Sequence, residues 1–360
     1  VAATDLLTQV NRIRARGATP PPPRSPQRVS GGVVKRDPHA GRLAGGGLSL
    51  SVFTADELEE IHMATLEVLE QTGVWVESAA ALDLFADGGC RVDREAGIAR
   101  IPPQMVEDAI DWAPSTWTLH GLDQANDIVL GSDPVGFANF GEGLKVVDPY
   151  TGELRDSVKA DLADVARLVS ALPDIDCFEV ALGCSDAPPE TATIHNYEAT
   201  LLNCSKPSCT GPQDGYAVKK YVEMASAAVG GIDNLRERPI LMLGTCPVSP
   251  LKLGREFCEI VMEAARAGMP VEVLSMAMAG ASAPVTLAGT LVTHNAEVLA
   301  GITLAQLAER GTRVVYGSST TSMDLRLAAA SVGTAEMALI SAGVAQLARQ
   351  YRLPSYISGA

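Results

Sequence analysis

The sequence predicts an α/β fold: a TIM-type (β/α)8 barrel, incomplete, with about six βα strands present, behind an N-terminal mixed α+β extension. Two observations carry that expectation. From about residue 159, short β-branched or apolar runs alternate with long helix-period segments, which is the signature of βα units. The first of these runs is followed by "GCSDAPPE", which lacks the spaced glycines that bring a helix N-terminus onto a pyrophosphate in a doubly wound dinucleotide fold. Six strands and five helices between them fit an open doubly wound sheet or most of an eight-stranded barrel, and the missing fingerprint favours the barrel, two βα units short.

Taken in order, residues 1–47 read as a flexible arm rich in Pro, Gly and basic residues, with "TPPPPRSP" and "GRLAGGG". Eight Lys/Arg against Asp5 and Asp37 give residues 1–46 a charge of +6, which leaves −21 on the remainder of a total of −15. A solvated tail is the expectation for the arm, and docking onto an acidic partner the alternative. Residues 48–158 form the extension. "TADELEEIHMATLEVLEQTG" predicts a helix, because Thr54 and Glu57 match a capping box, Leu58, Ile61, Leu66 and Leu69 share a face, and Gly73 suits the stop. "CRVDREAGIARIP" reads as a hairpin around Ala96 and Gly97, and a helix over Gln104–Trp112 ends before Pro114. "DIVLG", "GFANF" and "LKVVDPYTGELR" read as short strands, the last with a turn at Tyr150 to Gly152.

The partial barrel spans 159–360. Its strands are drawn at 177–183, 207–212, 240–246, 271–277, 313–319 and 354–360, and its helices at 191–203, 214–229, 253–267, 287–309 and 333–351. With 47% hydrophobic residues in 360, the chain can bury a large core. The acidic body argues against nucleic acid as a partner. Apolar runs fall short of the ~18 residues of a membrane span, and no signal segment opens the chain, so a cytoplasmic location is the default expectation. Seven cysteines at 90, 177, 184, 204, 209, 246 and 258 form no CxxC pair, and read as buried thiols rather than disulfides.

In such a barrel the working residues follow the strands. Those positions hold Cys184, Ser185 and Asp186; Gln213 and Asp214; Cys246 and Ser249; Met276, Met278 and Ser282; Ser318, Ser319, Thr320 and Asp324; and Ser358, Gly359 and Ala360. Each taken singly is ordinary loop chemistry. Cys204 and Cys209 frame "CSKPSC", yet His195 lies on a predicted helix and HExxH is missing, so no metal site is expected. His294, well inside a helix, reads as structural rather than as a general base. No G-x-S-x-G elbow or P-loop occurs.

Four stretches carry a resemblance: "FTADELEEIHMATLEVLEQTGV", "NCSKPSCTG", "AGASAPVTLAGTLVTHNAEVLAGITLAQLAERGTRVVYGSSTTSMDLR" and "GTAEMALISAGVAQLARQYRLPSYISGA". From about residue 50 to 360 the chain resembles the trimethylamine:corrinoid methyltransferase family. The resemblance implies a TIM barrel with an N-terminal extension that moves a methyl group from a methylated amine to the cobalt of a small corrinoid protein. The corrinoid would arrive on that partner, so no cofactor is expected on this chain. Oligomeric state stays open, a homo-oligomer included. The resemblance further implies that the position after Ala360 is pyrrolysine, encoded by UAG, whose imine ring binds the amine and gives its nitrogen the positive charge a leaving group needs. A frameshift or a fragment would also explain the ending. For substrate binding the strand positions nominate Gln213, Asp214, Tyr316, Ser318, Asp324 and Tyr356, with Tyr316 and Tyr356 offering cation–π faces. Alternatives are a pyrrolysine-free enzyme acting on a quaternary amine such as glycine betaine, or an inactive truncated barrel that only binds the amine or the corrinoid protein.

Overall fold

The computed structural model describes residues 50–131 and 135–358. The expectations for the 1–47 arm, for Gly359 and Ala360, and for a pyrrolysine after Ala360 lie outside the described residues. Six strands appear where the alternation placed them: β1 (Phe178–Glu179), β2 (Ser208–Thr210), β3 (Leu241–Thr245), β4 (Val271–Ser275), β5 (Val314–Ser318) and β6 (Ser355–Ile357). The helices used below are α1 (Ala55–Glu67), α2 (Pro103–Trp112), α3 (Arg255–Ala267), α4 (Leu287–Ala308) and α5 (Ala335–Gln350).

Contacts group the described residues into two compact units that interleave along the sequence: one holds 118–131, 135–210 and 220–241, the other 50–117, 211–219 and 242–358. A division at residue 158 therefore does not coincide with a boundary between compact units.

In the first unit β1 pairs with β2 in parallel, Phe178 opposite Ser208. Ser208 N donates to the carbonyl of Ile240, the residue before β3. A helix over Lys159–Ala171, which the sequence reading did not draw, packs on the helix Ala192–Asn203 through Leu162, Ala166, Val169 and Ala199. Asp161 holds its start, accepting from Val158 N at 2.9 Å and pairing with Arg155. "GFANF" is not a strand. Only Ala138 bridges, to Cys177. Just past it, Gly141 comes so close to Glu179 that a Cβ there would lie 2.6 Å from its Cγ. The drawn 177–183 strand shortens to β1 plus a bridge from Leu182 to Gly143.

In the second unit β3, β4, β5 and β6 pair in that order, all parallel. Parallel neighbours in chain order with helices between them are the half-barrel form of the βα alternation. The capping box of α1 forms as its sequence predicts: Thr54 N donates to Glu57 Oε2 at 2.8 Å, and Glu57 N to Thr54 Oγ1. The helix runs on through a π-helical turn, Val68–Thr72, and stops at Gly73, whose φ of 78° and 2.4 Å approach of its Cβ position to Ala99 O suit only glycine. The predicted hairpin forms between Arg91–Asp93 and Ile98–Arg100. Pro103 opens α2, where a missing N–H costs nothing.

The centre of this unit is α4. From His294 to Gln306 every residue is buried, and the helix packs on α1, α2, α3, α5, β4 and β5. A helix apolar on all sides belongs in an interior, and its few polar residues must find partners there. Asn295, Glu297, Thr303 and Gln306 all do. Among the described residues no helix is long and apolar enough to cross a membrane.

Candidate functional site

Strand alternation gives the sheet of the second unit two faces. One meets the helices. Val273 lies against Gly301 of α4 and Ser275 Oγ donates to Glu297 Oε2 at 2.6 Å. Tyr316 on β5 sends its hydroxyl to Asn295 Oδ1 at 2.7 Å. The opposite face therefore carries Glu272 and Leu274 of β4 and Val315 and Gly317 of β5. Register adds Gly244, opposite Glu272, and Tyr356, opposite Gly317.

On that second face Glu272 stands out. It is only 2% exposed, and its Oε1 lies 3.0 Å from where a Cβ at Gly317 would be. The carboxylate thus leans along β4 toward the C-terminal ends of the strands and occupies space that any side chain at 317 would fill. On the other side its register partner is also a glycine, Gly244 of β3.

The helix face is a polar network. Asn295 Nδ2 donates to Tyr351 Oη at 2.7 Å and to Thr65 Oγ1 at 3.0 Å. Tyr351 Oη therefore gives its own proton to His62 Nδ1 at 2.9 Å, which leaves His62 Nε2–H to meet Glu107 at 2.6 Å. Glu297 accepts from Ser249 Oγ at 2.8 Å, Ser275 Oγ at 2.6 Å and Leu251 N at 3.0 Å, fixing the loop after β3, where Leu251 sits at a left-handed φ of 57°. Burial pushes its carboxyl up, against those three hydrogen bonds.

Past the strand ends, Met278–Ala279 pairs with Thr321–Ser322, and Thr321–Asp324 folds back on Ala329–Ser331. His294 reaches this region after all: its Nδ1 bonds Thr320 Oγ1 at 2.8 Å, two residues beyond β5. Helix position alone had placed it away from the strand ends, but α4 begins close to them. Complete burial drives its pKa down to about 3, so the ring is neutral.

Four of the six nominated residues make hydrogen bonds within the fold. Tyr316 lies in the helical layer, completely buried. Ser318 shares its face of β5, and its Oγ accepts from Thr320 N at 3.2 Å. Asp324 accepts from Arg326 N at 2.8 Å and Leu327 N at 3.2 Å, holding its own hairpin turn. Asp214 accepts from Ala217 N at 2.8 Å at the start of the helix Gly215–Val229. Gln213 is an exposed residue of the same loop. Only Tyr356 lies on the face of Glu272.

Glu272 lies within a strand and not in a loop after one; its sequence signal is a glutamate in the middle of the apolar strand "VEVLS", a residue type rarely buried unless paired. Among the described residues no three His, Cys, Asp or Glu converge as metal ligands. All seven cysteines stay outside disulfides, and Cys246 alone is exposed.

Comparison with known proteins bears on this arrangement. The family model described as trimethylamine methyltransferase (MTTB) matches residues 32–360. The chain is 48% identical over 313 residues to the trimethylamine methyltransferase MttB of Desulfitobacterium hafniense, covering 87% of this chain and 63% of that protein. It is 32% identical over 310 residues to a glycine betaine methyltransferase from another strain of the same species, covering 86% and 64%. It thus spans a little under two thirds of either relative. The solved monomethylamine methyltransferase (MtmB) of Methanosarcina barkeri superposes with a TM-score of 0.52 at 12% identity, over 84% of this chain and 66% of that one, a likeness of fold.

Proposed function

This chain belongs to the trimethylamine methyltransferase family, and on that premise we propose that it takes a methyl group from trimethylamine and gives it to the cobalt of a small corrinoid protein. The observation that carries the substrate is the 48% identity to a trimethylamine enzyme against 32% to a glycine betaine enzyme of the same species. The parallel βα arrangement supports a barrel that the complete protein closes with eight strands, its site at the C-terminal end.

The chemistry is displacement at a methyl carbon. Cobalt(I) supplies an electron pair to carbon, the C–N pair returns to nitrogen, and trimethylammonium leaves as dimethylamine while methyl-cobalt(III) forms. An uncharged trimethylamine would have to expel an amide anion, a poor leaving group, so the site must keep the nitrogen positively charged until the bond breaks and must hold the methyl in line with the metal. In support of that reading, the second face of β3, β4, β5 and β6 carries Gly244, Glu272, Gly317 and Tyr356.

The test supplies full-length protein and reduced corrinoid partner with trimethylamine, dimethylamine or glycine betaine in turn and follows methyl-cobalt by absorbance. Trimethylamine alone should serve as donor. Turnover of glycine betaine in its place would move the protein to the quaternary-amine class.

A further inference from the structure

We propose that the first unit carries a binding site of its own, a cavity beside the N-terminal ends of β2 and β3 that takes a small zwitterion of the aliphatic α-amino-acid type. Its occupancy does not depend on the methyl-transfer reading above.

The cavity measures about 330 Å³, room for a single small metabolite. Ile240 in its lining stands immediately before β3, and Gly121, also in the lining, has its Cβ position 2.8 Å from the carbonyl oxygen of Ser205, just ahead of β2. Barrel chemistry takes place at the other ends of such strands, so the occupant is distinct from the methyl donor.

The walls are tied in place. His120 N donates to Pro239 O at 2.8 Å, joining the segment that carries Gly121 and Leu122 to the one that leads into β3. Asn234 Nδ2 donates to Val229 O at 3.1 Å and to Gly230 O at 3.3 Å, which leaves its Oδ1 to accept from a ligand. A lining held in this way loses little freedom when it binds.

The lining carries two opposite charges side by side, Glu237 and Arg238. Asp127 positions the guanidinium without satisfying it: Oδ2 accepts from His120 Nδ1 at 2.8 Å, Oδ1 accepts from Gly121 N at 3.0 Å, and Arg238 stays 3.6 Å away, beyond hydrogen-bond distance. The forked donors of Arg238 therefore suit a carboxylate, while the exposed Glu237 and the Oδ1 of Asn234 suit an ammonium. Leu122, Val229 and Ile240 add the apolar surface for an aliphatic body. A ligand with a single charge would leave the other lining charge unanswered.

The experiment titrates full-length protein by calorimetry with L-leucine, with 4-methylpentanoate, which lacks the ammonium, and with 3-methylbutylamine, which lacks the carboxylate. Leucine should bind with a Kd below about 1 mM and each analogue at least about tenfold more weakly. Glu237→Gln and Arg238→Gln should each weaken leucine about tenfold, and the exposed position of Glu237 keeps the first of these variants folded. Trimethylamine should not displace leucine. No saturable leucine binding up to about 10 mM overturns the proposal. So does binding that both variants leave unaltered, or that trimethylamine abolishes, since either places leucine elsewhere. Analogues that bind as tightly as leucine overturn the zwitterion. A protein inert toward trimethylamine that still binds leucine in this pattern loses the functional reading and keeps this site.

Discussion

The hydroxyl of Tyr316 donates to Oδ1 of Asn295 at 2.7 Å, so the aromatic residue of β5 is tied to the buried helix α4 and not to the opposite face of the sheet. The amide of the same asparagine serves Thr65 of α1 and Tyr351 at the end of α5. One side chain thus connects a strand to three helical segments.

Removing it should therefore cost more than removing any one partner. Asn295→Ala strips three buried groups of a hydrogen bond and should lower stability by about 2–4 kcal/mol, against about 1 kcal/mol for Tyr316→Phe. The double variant should fall short of the sum, because the two lesions share a bond. Urea unfolding of the four proteins measures all of this. The KM of Tyr316→Phe for trimethylamine should stay within about twofold of wild type, whereas a large rise would return Tyr316 to the substrate.

Glu297 makes a prediction about pH. Burial raises its carboxyl above the ordinary 4.5, so the folded protein holds a proton that the unfolded chain has already released. Between 4.5 and the raised value the folded state binds more protons than the unfolded, and the Glu297 contribution is lost as pH rises through that window. Gln at this position cannot titrate. The stability advantage of wild type over Glu297→Gln should shrink as pH rises from about 4 toward 8, while carboxylates common to both proteins cancel in the difference. An advantage that grows with pH would mean the buried group is held ionised.

Asp324 closes a hairpin turn, so its loss should loosen that turn and little else. Asp324→Ala should be cut faster by protease near the exposed Leu325 and Leu327, and its KM for trimethylamine should stay within about twofold of wild type. A large rise in KM with an unchanged cleavage pattern would restore the residue to the site.

Much of the fold was legible because its signals are local. The capping box at Thr54 and Glu57, the Gly73 stop and the six strands each announce themselves within a few residues, through cap chemistry or hydrophobic period. The site was less legible, because it depends on which side of a strand a residue faces. Tyr316 and Gly317 are neighbours in sequence and sit on opposite faces, and only the contact with Asn295 tells which one meets the helices. Asp214 and Asp324 show the other difficulty: aspartate after a strand is equally good at holding a helix start or a turn, and here it does both. The interleaving of the two units was invisible for the same reason, since it arises from pairings far apart in the chain.

The central claim is that a methyl group of trimethylamine ends on cobalt. It is tested most directly with fully deuterated trimethylamine, full-length protein and reduced corrinoid partner, by mass analysis of both products. The account predicts trideuteromethyl on cobalt and deuterated dimethylamine in equal amounts. Unlabelled cobalt beside intact trimethylamine would contradict it.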